Sequence, residues 1–143
     1  MIIGIGTDVL EIERMRKILG QASGKRFLER VLTPAERELA AVRGGRLAEF
    51  AAGRFAAKEA VVKALGCGIG KEVGFQDMEV LPDGKGKPVC RLSEAAWERL
   101  AAWMPVFQPV SGDTLLIHLS ITHSETLAMA YAVAERTAAN PWT

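Results

Sequence analysis

The sequence predicts an α+β domain in which a small antiparallel sheet packs on one long central helix. Three observations predict it. Ile3, Ile5, Thr7 and Val9 alternate with Gly4, Gly6 and Asp8, the period-two pattern of a strand. Residues 115–122 and 127–134 alternate in the same way on either side of a short polar turn, as a hairpin does. Between them, residues 47–65 read as a helix that runs into the glycine-rich stretch Gly66-Cys67-Gly68-Ile69-Gly70.

At 143 residues, 49% hydrophobic and 24% charged, the chain suits a single domain over 1–143 with one core. Its net charge of +1, from 18 Lys and Arg against 17 Asp and Glu, argues against a chain held on nucleic acid or membrane by global charge. Aromatics interleaved with cations, which a nucleic-acid binder would show, are missing too. Cys67 and Cys90 lie in different segments without metal-ligand spacing, so both are expected to be reduced and structural or incidental. Met1 leads straight into Ile2 and Ile3 with no basic leader, and the apolar run stops at Asp8. A soluble cytoplasmic protein is therefore expected.

In the first strand, two glycines precede an aspartate on one face. Glycine weakens a strand unless another element must come close, so a helix should pack there, and the Ala52 and Ala56 side of the central helix fits it. That places Asp8 beside Glu59. Two carboxylates in a partly enclosed site must share a proton, meet a cation or raise each other's pKa. A Mg²⁺ held by one or two carboxylates plus substrate phosphates resolves the repulsion. The other reading of Asp8 is as the N-cap of a helix beginning near Leu10.

Residues 10–19 read as a first helix, ending at Gly20. Arg14, Arg16, Lys17, Lys25, Arg26 and Arg30 make a local positive strip in a nearly neutral chain, either a solvated face or a docking surface for an acidic partner. Thr33-Pro34-Ala35-Glu36 is a capping-box helix start, with the helix running to Val42 and broken at Gly44-Gly45.

Winding the central helix at about 100° per residue puts Phe50, Val61 and Leu65 on one side with Arg54 and Lys58 in the same apolar arc. Glu59 and Lys63 share the opposite side with Ala52 and Ala56. The helix is thus enclosed on most sides, and its charges need partners there. Taken alone, Glu59 and Lys63 are also well ordered for a plain helical ion pair, and Arg54 and Lys58 could snorkel. Gly66, Gly68 and Gly70 follow a helix, whereas the known dinucleotide and P-loop glycines precede one. They are either a helix stop or, with Arg54, Lys58, Lys63 and His123 near, an anion-binding loop.

Further on, 73–75 and 78–81 look strand-like, a turn at 82–88 leads into a strand at 89–92, and Ser93 caps a short helix whose Trp97, Leu100 and Trp103 have core spacing. Residues 104–112 read as a loop. The hairpin turn at 122–126 puts His123 at a strand end, and Ala128, Ala130, Ala132 and Ala134 offer a face to the central helix. The tail 136–143 is expected to fray.

Gly4-Ile5-Gly6-Thr7-Asp8 with Glu11-Ile12-Glu13-Arg14, Phe55-Ala56-Ala57-Lys58-Glu59-Ala60 with Lys63-Ala64-Leu65-Gly66, and Ser120-Ile121-Thr122-His123-Ser124 strongly resemble the bacterial holo-[acyl-carrier-protein] synthases, the small 4'-phosphopantetheinyl transferases. The resemblance spans Met1 to about Glu135 and implies that family's fold. It also implies transfer of the 4'-phosphopantetheine arm of coenzyme A to a serine of apo acyl carrier protein, releasing adenosine 3',5'-bisphosphate. By motif, it gives Asp8 and Glu59 to Mg²⁺ and to catalysis. Lys63 goes to the leaving phosphate, and Glu59, or a water on the metal, to deprotonation of the serine. Arg54, Lys58, Lys63, Gly66, Gly68 and His123 go to the coenzyme. It further implies a homotrimer with active sites between subunits and carrier-protein docking through Arg14, Arg26 and Arg30. The competing class is a non-catalytic coenzyme A or nucleotide-binding module that kept the pocket.

Overall fold

In the computed structural model, described here for residues 1–138, the elements run in the order β1 (Ile2–Glu11), α1 (Ile12–Leu19), α2 (Gly24–Val31), α3 (Pro34–Val42), α4 (Leu47–Leu65), β2 (Met78–Pro82), β3 (Pro88–Leu92), α5 (Glu94–Trp103), β4 (Asp113–His123) and β5 (Leu127–Ala138). β1, β5 and β4 form an antiparallel sheet in that order, and β2 and β3 a separate hairpin. The α+β architecture, with a small sheet on a long helix, is the one the sequence predicts. No helix among the described residues is long and apolar enough to cross a membrane.

Helix α4 is the axis of the core. Thirteen of its residues are buried, among them Ala56, Ala57, Ala60, Val61, Val62 and Leu65, and the sheet closes over them. The alanines of β5 make that closure possible: Ala128, Ala130 and Ala132 are 0% exposed and Ala134 is 2% exposed. Small side chains on the middle strand bring sheet and helix close along their length, which overrides alanine's preference for helix. α3 begins with the full capping box: Glu36 N–H donates to Thr33 Oγ1, and Thr33 N–H donates to Glu36 Oε1.

Several elements differ from expectation. β1 continues to Glu11, so α1 starts at Ile12, and Asp8 lies within the strand opposite Ala130 instead of capping a helix. α2 was not anticipated; its signal is the covered stripe of Phe27, Leu28 and Val31. Val73 makes only an isolated bridge to Ile69, and Phe75–Asp77 is a 3-10 turn tied by the Asp77 carboxylate accepting from Gly74 N–H. The loop at 104–112 contains a second such turn, Pro105–Phe107, whose Phe107 is buried beside Trp97. Trp97 and Leu100 face the core, but Trp103 is 64% exposed, since it falls on the last turn of α5. Residues 136–138, expected to fray, belong to β5, where Ala138 pairs with Asp113; 139–143 lie outside the described residues.

Candidate active site

The first half of the site is fixed by glycine. Gly4 and Gly6 face α4 so closely that a Cβ on Gly4 would stand 2.1 Å from the Ala64 carbonyl oxygen, and one on Gly6 1.8 Å from that of Ala60. No side chain fits there. The approach falls at Ala60 and Ala64, one turn beyond the Ala52 and Ala56 surface expected from the sequence. Two residues on, the same face of β1 presents Asp8 to α4.

Asp8, Glu59 and Lys63 come together at this edge. Lys63 Nζ donates to Asp8 Oδ1 at 3.2 Å and to the Thr7 carbonyl at 3.0 Å. Burial, and next the charge of Asp8, raise the Glu59 pKa above its ordinary 4.5, with Lys63 opposing. Two like charges are thus held near each other, and the one cation beside them does not cancel the upward shift. The Lys63 side chain is itself 51% exposed.

Lys58, expected among the coenzyme's ligands, belongs elsewhere. Its side chain is 0% exposed, and Nζ donates to Glu36 Oε1 at 2.6 Å, Val31 O at 2.7 Å and Phe75 O at 3.0 Å. An ammonium has three N–H donors, so nothing is left for a phosphate. Burial pushes the Lys58 pKa down while Glu36 holds it up. Glu36 in turn accepts from Val80 N–H through its second oxygen. The capping box revealed the Glu36 helix start but gave no sign that this carboxylate also meets Lys58.

Arg54 has the opposite character. Its guanidinium stacks 4.3 Å from the Phe50 ring centroid, and Nε is buried with no hydrogen-bond partner. Burial, with Arg43 adding to it and Glu36 opposing, depresses its pKa to about 10. It lines a cleft of about 480 Å³ with His123, Ser124, Arg43 and Arg46. Glu49, held by Arg16, and Glu125 also line this cleft, but three arginines outnumber them, and a buried guanidinium whose Nε has no partner is suited to an anion. Arg43 and Arg46 were missed by sequence reasoning: they flank Gly44-Gly45, which reads only as a helix break.

Gly66 takes the left-handed conformation, φ +82°, and closes α4, with Cys67 N–H donating to Val62 O at 3.0 Å. A helix stop therefore accounts for Gly66; Gly68 is exposed with open space beside it. Arg14, Arg26 and Arg30 are all exposed, while Arg16 of the same strip is tied to Glu13 and Glu49. Cys67 and Cys90 are free, and burial pushes the Cys90 thiol up to about 12, so it is no nucleophile near neutrality.

Among the described residues no group of three or more His, Cys, Asp or Glu converges as a metal cage. Asp8 and Glu59 alone fit a hard cation that takes one or two carboxylates and fills its other positions with water and phosphate oxygens, as Mg²⁺ does.

The sequence matches the model of the 4'-phosphopantetheinyl transferase superfamily over residues 4–131, and the chain belongs to that family. Within it, the holo-[acyl-carrier-protein] synthase of Bacillus cytotoxicus is 45% identical over 137 residues, covering 94% of this chain and 97% of the relative. The crystal structure of a holo-(acyl-carrier-protein) synthase from Bacillus anthracis in complex with CoA (3',5'-ADP) superposes with a TM-score of 0.74 at 44% identity, covering 94% and 97% of the two chains. That of the Neisseria meningitidis enzyme gives 0.77 at 34% identity, covering 94% and 99%.

Proposed function

We propose that this chain is a holo-[acyl-carrier-protein] synthase, moving 4'-phosphopantetheine from coenzyme A to a serine of apo acyl carrier protein and releasing adenosine 3',5'-bisphosphate. The observation that carries the site is the meeting of Asp8, Glu59 and Lys63 where β1 closes on α4. Asp8 and Glu59 are the residues to hold Mg²⁺, which when bound supplies positive charge to the diphosphate of coenzyme A. In the transfer, a bond forms between the serine Oγ and phosphorus while the bond from phosphorus to the leaving phosphate oxygen breaks. Lys63 turns from Asp8 to neutralise that leaving phosphate. Glu59 takes the proton from the serine Oγ. The attacked phosphorus already carries negative oxygens, so charge neutralisation and in-line positioning do the chemistry, with no covalent intermediate on the protein.

The Arg54 and His123 cleft, with Arg43 and Arg46, is the place for another anionic part of coenzyme A, and Gly66 and Gly68 complete the coenzyme's binding residues. Cleft and carboxylates are served by opposite edges of the sheet, β4 and β1, with β5 between them. On α4, Arg54 and Glu59 are five residues apart, about 140° around the helix. One copy therefore presents two half-sites facing different ways, which supports an active site completed between copies. The sheet's outer face supports the same reading: Ile5 is 69%, Val9 55% and Tyr131 48% exposed, joined by Leu116 and Leu127. Exposed apolar side chains gathered on one face of the sheet suit burial against further copies, as in a homotrimer. Arg14, Arg26 and Arg30 form the carrier-protein docking surface, and a cytoplasmic site of action belongs to the same reading.

The test is mass spectrometry of an apo carrier protein incubated with coenzyme A, Mg²⁺ and a trace of this protein. Each carrier should gain one phosphopantetheine. No gain would leave the non-catalytic binding module as the reading.

A further inference from the structure

Helix α2 ends in an unusual way. The last carbonyls of a helix have no partner within it and are commonly met by water or by a left-handed glycine. Here the carbonyls of four consecutive residues, Glu29 to Leu32, accept from side chains of three other elements. Gln76 Nε2, with two hydrogens to give, lies within hydrogen-bond distance of three carbonyls, Glu29 O at 2.9 Å, Arg30 O at 3.0 Å and Leu32 O at 2.8 Å, and shares its two donors among them. Arg37 of α3 reaches Leu32 O at 2.7 Å and Glu29 O at 3.3 Å. Lys58 of α4 takes Val31 O at 2.7 Å.

The donors are not a random set. Gln76 lies in the 3-10 turn that ends the glycine-rich segment after α4, and the carbonyl of its neighbour Phe75 is the third acceptor of Lys58. Lys58 immediately precedes Glu59. Phe27 of α2, Phe55 of α4 and Phe75 pack in a row, the first pair stacked and the second tilted, with centroids 6.2 and 5.7 Å apart. One junction thus joins the helix that carries Arg26 and Arg30, the helix that carries Glu59 and Lys63, and the end of the glycine-rich segment.

We propose that Gln76, backed by Lys58 and Arg37, is a positioning residue that fixes α2, and with it the cations Arg26 and Arg30, relative to the Glu59 and Lys63 face of α4. It rests on the reading that those arginines dock the carrier protein. Gln76 touches neither coenzyme nor serine; it acts by setting the distance and angle between docking surface and chemistry. Because it is exposed, its replacement spares the core. A donor of similar reach, such as lysine, keeps the junction and suits the helix C-terminus; glutamate cannot donate and repels the carbonyls.

The experiment uses the full chain with coenzyme A, Mg²⁺ and an apo carrier protein, comparing Gln76→Ala, Gln76→Glu and Gln76→Lys with Arg30→Glu. Losing the junction's hydrogen bonds should raise the carrier KM about 5-fold in Gln76→Ala and more in Gln76→Glu. The coenzyme A KM should stay unchanged, and Gln76→Lys should return the carrier KM to near wild type. Amide exchange should quicken in α2 and not in α5. If Arg30→Glu raises the carrier KM while Gln76→Ala and Gln76→Glu do not, the positioning role is wrong and docking stands. If Arg30→Glu has no effect either, the docking reading falls and takes the proposal with it. A rise in both KM values, or failure of the lysine variant to rescue, reduces Gln76 to a general structural part.

Discussion

Lys58 and Glu59 are neighbours on one helix and have opposite fates. Lys58 is wholly buried with all three protons given to acceptors, one of them the Glu36 carboxylate. Glu59 stands at the sheet edge beside a second acid, its pKa raised, with Lys63 as the cation that opposes the repulsion. A charge saturated by its own protein is a strut; a charge left in debt is an invitation to a ligand. Arg54, buried with an unpartnered Nε, falls on Glu59's side of that line although it shares the apolar arc with Lys58.

The comparison can be broken at either residue. Asp8→Ala or Glu59→Ala should cut the rate of labelled-pantetheine transfer by about 10²–10³ or more, with the melting temperature preserved. Near-normal transfer by either variant would remove the acids from the site. Lys58→Met should behave in the reverse sense. It strands the Glu36 carboxylate in the core and should cost about 3–5 kcal/mol in urea unfolding. The double variant Lys58→Met with Glu36→Leu should recover only part of that: it leaves no charge uncompensated, but Thr33 N–H and Val80 N–H lose the Glu36 carboxylate and Val31 O and Phe75 O lose the ammonium.

Gly6→Ala tests how the acids are brought together. Its Cβ meets the Ala60 carbonyl, so β1 must move off α4. The expected cost is about 1–3 kcal/mol by overpacking, together with loss of activity from a displaced Asp8. The smallest effect concerns protons. The folded state holds the Glu59 proton more tightly than the unfolded chain does. That stabilisation is fully present below the ordinary glutamate pKa of 4.5 and is lost as pH rises through the higher folded value. Glu59→Gln should therefore gain in melting temperature over the metal-free wild type as pH rises across that window, and a gain that shrank with pH would contradict the repulsion.

Much of this was legible in the chain. Alternation revealed β1, β4 and β5, and the paired glycines before Asp8 pointed to a close helix because nothing else explains bare backbone on a buried face. The charges of α4 were rightly expected to need partners. Their identity was not readable, since Glu36 lies 22 residues away and its capping role already accounted for it. The same limit hid Arg43 and Arg46, which enter the Arg54 cleft only once α3 and α4 are folded about Gly44-Gly45. α2 escaped because its covered stripe is only a turn and a half long and its N-cap makes no side-chain bond. Local pattern carries backbone and spacing; which distant charge answers another is decided by packing.

The most direct measurement is of metal binding apart from turnover. Mn²⁺, a spectroscopic stand-in for Mg²⁺, can be titrated into the protein with coenzyme A and followed by paramagnetic resonance. One bound ion per chain is expected in the wild type, with affinity falling at least tenfold in both Asp8→Asn and Glu59→Gln. Unchanged affinity in both variants would contradict the convergence of these two acids on a single cation.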